Sequence, residues 1–174
     1  MPNNISDDLS ELGTDQIIAL STADIASLST QQAASLTSAQ VGVLTTVQIP
    51  AFTSTDIAVF GTEDIQVLAS AQVIALSTAQ IASLTTRQAA SLTSQQIAVL
   101  TSNQIAAFTP DDVAVFDTDD IRALYYLQVQ SLTTAQVAAV TTAQVAALNT
   151  RQVISLSTAQ RSEEHTSELQ SRET

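Results

Sequence analysis

An all-α solenoid of very short helices, one per eight-residue repeat, is the fold class this sequence predicts, and three observations predict it. An octad recurs in one frame from Gly13 to Leu156, eighteen copies in all. Its first position is Ser, Thr, Asn, Asp or Gly in nearly every copy and its fourth is Gln or Asp, the spacing of a helix capping box. Pro110 follows Thr109 directly, at the first helical position, where a missing N–H costs nothing. One continuous helix fails as a rival. Eight residues overshoot two helical turns by about 80°, so the apolar stripe would wind round the rod. Pro50, at the sixth position, would also break it. A β-solenoid is the alternative, favoured by Thr, Val and Ile, but three glycines are too few for its tight corners.

The elements follow in chain order. Residues 1–12, MPNNISDDLSEL, read as a degenerate N-terminal capping octad. From 13 the words run GTDQIIAL, STADIASL, STQQAASL, TSAQVGVL, TTVQIPAF, TSTDIAVF, and the array spans 13–160. In each, the fifth residue (Ile, Val or Ala) and the Leu or Phe closing the previous word stand at the two positions of a hydrophobic staple. A longer period lies over the octads. Residues 21–76 align without gaps on 77–132, seven octads on seven, with well over half the positions identical and a partial third copy from 133. The aromatics agree, Phe52 and Phe60 falling on Phe108 and Phe116, where they replace the closing Leu and read as core filling. Such duplication suits an array whose length can vary.

A single octad is not a stable object. Ordering eight residues costs on the order of 12 kcal/mol, burying about 400 Å² of apolar surface returns roughly 10, and one cap adds about 1. Stability must therefore come from neighbours and accumulate with copy number.

Composition narrows the function. The chain has a net charge of -12, no lysine and five scattered arginines, which excludes a surface that tracks nucleic-acid phosphates. No apolar run is long enough to span a membrane. Cysteine is absent, so thiol catalysis and zinc–thiolate sites are excluded without fixing a compartment. The N-terminus is acidic where a secretory signal would be basic and then apolar. Paired acids occur at Glu63 with Asp64, Asp111 with Asp112, and Asp119 with Asp120 beside Asp117. They stand where first-turn carboxylates stabilise a helix N-terminus, and no calcium-loop motif accompanies them. Tyr125 and Tyr126, in LYYLQVQSL, break the word at its cap and first helical position; they read as surface variation, with a sugar-stacking or partner-binding spot as the other reading. No GxSxG elbow, phosphate loop or histidine base stands in the repeats, so the expectation is a protein that is not an enzyme, with no catalytic, cofactor-binding or metal residues and no cofactor.

From Arg161 the frame is lost. The stretch RSEEHTSELQSR, residues 161–172, resembles the in-frame translation of a common sequencing-library adapter, codon by codon over its first eleven residues. The expectation is that 161–174 is non-native and the array a fragment of a longer reading frame, and His165, the single histidine, leaves the argument with it. Without the tail's two arginines and four glutamates the body keeps 3 basic and 13 acidic side chains, a net charge of -10.

In words such as LTTAQVAALNTRQ, the stretch 13–160 resembles the Thr/Gln/Ala octapeptide arrays of very large bacterial proteins, often labelled haem-utilisation or adhesion proteins or repeat-rich exoproteins. That resemblance implies a secreted or surface-exposed stalk or spacer; beyond the tyrosine pair, no residue here offers a haem ligand. FTPDDVAVF also resembles the first-helix opening of TAL-effector repeats, but the chain lacks their DNA-reading loop and basic residues, and nucleic acid is not expected as a partner. The alternative to a spacer is a solenoid scaffold whose face binds a protein or glycan partner.

Overall fold

The structure, a computed structural model, describes residues 8–157 and 160. The first seven residues and 161–174, which include the adapter-like stretch and His165, lie outside the described residues, as does part of the 1–12 segment. Two compact units divide the chain, Met1–Leu92 and Thr93–Thr174. The described part of each is a helical solenoid with no strand, so the β-solenoid alternative falls away.

The first unit holds α1 Thr14–Ile18, α2 Thr22–Ala26, α3 Thr30–Ala34, α4 Ser38–Gly42, α5 Ser54–Ala58, α6 Thr62–Val67, α7 Ser70–Ala75, α8 Thr78–Ala82 and α9 Thr86–Ala89. The second holds α10 Ser94–Val99, α11 Ser102–Ala107, α12 Pro110–Ala114, α13 Thr118–Ala123, α14 Tyr126–Ser131, α15 Thr134–Ala139, α16 Thr142–Ala147 and α17 Thr150–Ser155. One octad departs from one α-helix per word. Residues 45–52 form only a 3₁₀ turn at Ile49–Ala51. Pro50 has no N–H for an α-type bond, and the tighter bonds from Ala51 to Gln48 and from Phe52 to Ile49 replace it.

Most of the helices start at a reciprocal pair of hydrogen bonds. In α8, the Gln80 N–H donates to Ser77 Oγ at 3.2 Å and the Ser77 N–H donates to Gln80 Oε1 at 2.8 Å. Asp does the same at shorter reach: the Thr109 N–H and hydroxyl both donate to Asp112 Oδ2, at 3.0 and 2.6 Å. Where the cap is Gly13, Gly61, Ala69 or Tyr125, only the return bond from the cap N–H survives. The helices end without a left-handed residue, since no positive φ occurs among the described residues. Instead the chain turns on two extended residues, such as Leu68 (φ -59, ψ 124) and Ala69 (φ -68, ψ 156). This explains how so few glycines suffice: the elbow asks for nothing an L-residue resists.

The core is two rows of side chains, from the fifth and eighth positions. Ile49, Ile81, Ile97 and Ile105 are fully buried, and Leu or Phe closes every word behind them except 133–140, which ends in Val140. The phenylalanines meet edge to face in each unit, Phe52 with Phe60 at 5.4 Å and Phe108 with Phe116 at 5.3 Å between ring centroids.

Successive coils are joined by glutamine. From Gln40 onward the fourth residue of the word is buried, and where it is Gln its amide has two tasks: Oε1 takes the cap N–H of its own helix, while Nε2 donates to carbonyls one coil earlier. Gln80 reaches Ile49 O at 2.9 Å and Phe52 O at 2.8 Å; Gln88 reaches Ile57 O and Phe60 O, both at 2.8 Å. In the second unit Gln136 donates to Ile105 O and Phe108 O, Gln144 to Val113 O and Phe116 O, and Gln152 to Ile121 O and Leu124 O. These bonds span 31 and 28 residues, while helices pack on the third octad along, as α12 does on α15. A coil therefore closes between three and four octads, and the seven-octad block corresponds to about two coils. The bonds also give a donor to the closing residue's carbonyl, such as Phe52 O or Phe108 O, and add a second donor to the fifth-position carbonyl, which already accepts the closing residue's N–H.

Candidate interaction surface

The paired acids are separated by their positions in the word. Glu63, Asp111 and Asp119 point to solvent, while Asp64, Asp112 and Asp120 turn inward as caps. Among the described residues no three His, Cys, Asp or Glu side chains cluster as metal ligands would. Asp64 and Asp120 carry a further bond: the Ser38 hydroxyl donates to Asp64 Oδ1 at 2.7 Å, and 56 residues on Ser94 donates to Asp120 Oδ1 at 2.8 Å. Burial pushes the Asp120 carboxyl above its ordinary pKa, against the lowering pull of hydrogen bonds from the Asp117 backbone and Ser94, and the charges of Asp117 and Asp119 raise it further. An ionised carboxylate has no proton to donate, so Asp at the fourth position keeps the cap but cannot make the glutamine bond to the coil below.

The tyrosines mark a different kind of place. Tyr125 is the N-cap of α14, and its side chain makes no capping bond. The helix is held from its other partner: Gln128 Oε1 accepts the Tyr125 N–H at 2.6 Å and Nε2 donates to Ile97 O and Leu100 O at 3.0 and 2.7 Å. Relieved of capping, both tyrosines face solvent, Tyr125 at 66% and Tyr126 at 52% exposure. One coil later Asn149 caps α17, and Gln152 of that helix bonds Ile121 O and Leu124 O at the end of α13. This coil bond brings Arg151 to the tyrosines. Arg122, Tyr125, Tyr126, Asn149 and Arg151 line one surface depression of about 370 Å³, and Tyr126, Arg151 and Ile154 line a second of about 310 Å³ beside it. Arg122 is held by Asp119 at 2.6 Å, both side chains largely exposed. Leu127 and Ile154 add exposed aliphatic surface, Ile154 at 70%.

Sequence alone singles out the tyrosines but not Arg151, Arg122, Leu127 or Ile154. Their grouping depends on the coil length, which no octad states.

Four segments, residues 6–38, 17–54, 57–94 and 113–150, match the model of the ALTTAQ repeat, and together they cover more than half the chain. The chain belongs to the ALTTAQ repeat family. No curated protein and no solved structure matches it. The threonine, alanine and glutamine of the ALTTAQ word fall on the features just described: the hydroxyl at the cap, small residues in the first turn, and the amide that both closes the cap and ties the coil to its predecessor. No helix among the described residues is long and apolar enough to cross a membrane.

Proposed function

We propose that this ALTTAQ array is a non-enzymatic structural segment, a stalk or spacer of a large bacterial secreted or surface adhesin-like protein. The observation that supports this reading is the uniformity of the coil joint. From Gln40 to Gln88 in one unit and Gln128 to Gln152 in the other, each glutamine rung uses the same amide and carbonyls from the fifth and eighth word positions. A joint without specialised residues can be repeated indefinitely, which suits a part whose property is length. The test has two arms. Trimming the array coil by coil should lower the denaturation midpoint progressively, with no single coil whose loss abolishes folding. Antibodies raised against the array should label intact source cells or their medium; label confined to lysed cells would sink the surface placement.

A scaffold that binds a protein partner is the second reading. It is favoured by the exposed tyrosine, arginine and aliphatic surface of α14 and α17, because Tyr and Arg dominate the energetic centres of protein interfaces.

A further inference from the structure

The internal duplication supplies a reference for the surface around Tyr126. Counting back one block of seven octads, Tyr125, Tyr126 and Leu127 correspond to Ala69, Ser70 and Ala71, and Ile154 to Ala98. Arg122 and Arg151 correspond to Gln66 and Gln95. Each apolar member has grown from a small residue and each cation has replaced a neutral one. Solvent-facing positions of a repeat have no packing reason to enlarge, and clustering this much apolar surface in water is the mark of a face that is covered by something.

The charges around it say by what. Among the described residues Arg151 has no carboxylate within ion-pair distance, whereas Asp119, at the other margin of the same surface, has its side chain 75% exposed and is held by Arg122, itself 58% exposed. An exposed pair of that kind contributes little and is readily shared. The surface thus carries an apolar centre, a cation with no carboxylate partner among the described residues, and an accessible carboxylate, so it is complementary to itself. That is the property an isologous two-fold contact requires, because each element must meet its counterpart on an identical patch. The aliphatic share of the centre, Leu127 and Ile154, favours a protein surface over a sugar, which stacks on aromatic rings but gains little from branched aliphatics.

We propose that this face pairs two copies of the chain about a two-fold axis, Tyr126 and Ile154 packing across the axis and Arg151 of each copy meeting the partner's Asp119. The pairing does not depend on the spacer reading and would hold for a scaffold as well.

Sedimentation velocity on the whole chain, up to about 1 mM, tests it. A concentration-dependent dimer is expected. Arg151→Glu and Asp119→Arg should each weaken it by about tenfold or more, and an equimolar mixture of the two variants should recover it to within about threefold, because both cross-axis pairs then regain opposite charges. Tyr126→Ser with Ile154→Ala, which restores the residues of the preceding block, should abolish the dimer while leaving the helical circular dichroism unchanged. A chain monomeric throughout would overturn the proposal, as would a dimer indifferent to these substitutions or two weakened variants that fail to rescue one another. Binding of an acidic peptide or a uronate oligosaccharide to a chain that stays monomeric would also overturn it, and assign the face to that ligand.

Discussion

Replacing Gln80 by alanine removes one rung of the coil joint and is expected to cost about 4–6 kcal/mol. Gln80 is 2% exposed, and its side chain makes three hydrogen bonds, from the Ser77 N–H and to Ile49 O and Phe52 O. At about 1 kcal/mol net each they account for about 3 kcal/mol; leaving Phe52 O without this donor in a dry joint, while Ile49 O keeps the Phe52 N–H, adds a desolvation penalty of about 1–3 kcal/mol. Against a total stability of about 5–15 kcal/mol, this is a large fraction. Gln80→Asp is the informative comparison, because Asp at this position still takes the cap N–H, as Asp112 does, but has no amide to donate. Its loss should be smaller, about 2–4 kcal/mol. Urea midpoints followed by circular dichroism would measure both, and hydrogen exchange would show whether protection falls first around Ile49–Phe52. A Gln80→Ala loss under about 1 kcal/mol, or an Asp variant no better than Ala, would refute the view that this amide joins the coils.

Three further outcomes are expected. Asp120→Asn should remove a pH-dependent component of stability: burial holds the Asp120 pKa above 3.8, so its contribution is fully present below that value and is lost as pH rises through the raised folded value. The variant's advantage over the parent, read from urea midpoints, should therefore grow across that window and be flat above it; the opposite slope would contradict the assignment. Thr109→Ala should cost about 1–2 kcal/mol in the same assay, since the hydroxyl accepts from the Asp112 N–H and donates to its carboxylate. Phe116→Ala should cost about 3–5 kcal/mol through the cavity and the lost edge-to-face contact with Phe108, and Phe116→Leu markedly less.

The local half of this fold is legible in the sequence, and the long-range half is not, for a physical reason. Caps, first-turn acids and the Pro110 start are set within four residues, so the octad states them directly. Which octad stacks on which is set by the angle at each elbow, and the two extended residues there, such as Leu68 and Ala69, carry no distinctive residue type. Because every word resembles every other, no pairing is marked as preferred. The second task of Gln80 and its equivalents was hidden for the same reason: a capping role already explained the residue. Asp56 and Asp112 held the clue, since a cap alone would accept Asp everywhere, yet Gln is the commoner choice. The octad at 45–52 shows the reverse, a rule broken visibly at Pro50, whose effect was readable as a break but not as the 3₁₀ turn that repairs it. The interaction surface was half legible, because Tyr125 and Tyr126 violate the word while Arg151 and Ile154 reach them only across a coil.

The glutamine rungs also have a mechanical meaning. A bond from Gln144 to Val113 and Phe116 ties points that are 31 and 28 residues apart along the backbone, so a pull on the chain loads that rung before it loads the helices between. Rungs that yield in turn from one end each free one octad of chain, at most about 29 Å if fully extended, because the next rung, eight residues along, still ties the coil and takes the load. Tension is met link by link wherever the fourth residue is Gln, and since each such link is an amide facing two backbone carbonyls, it can re-form when the pull relaxes. A segment built this way behaves as a self-resetting shock absorber, whose travel is set by the number of coils.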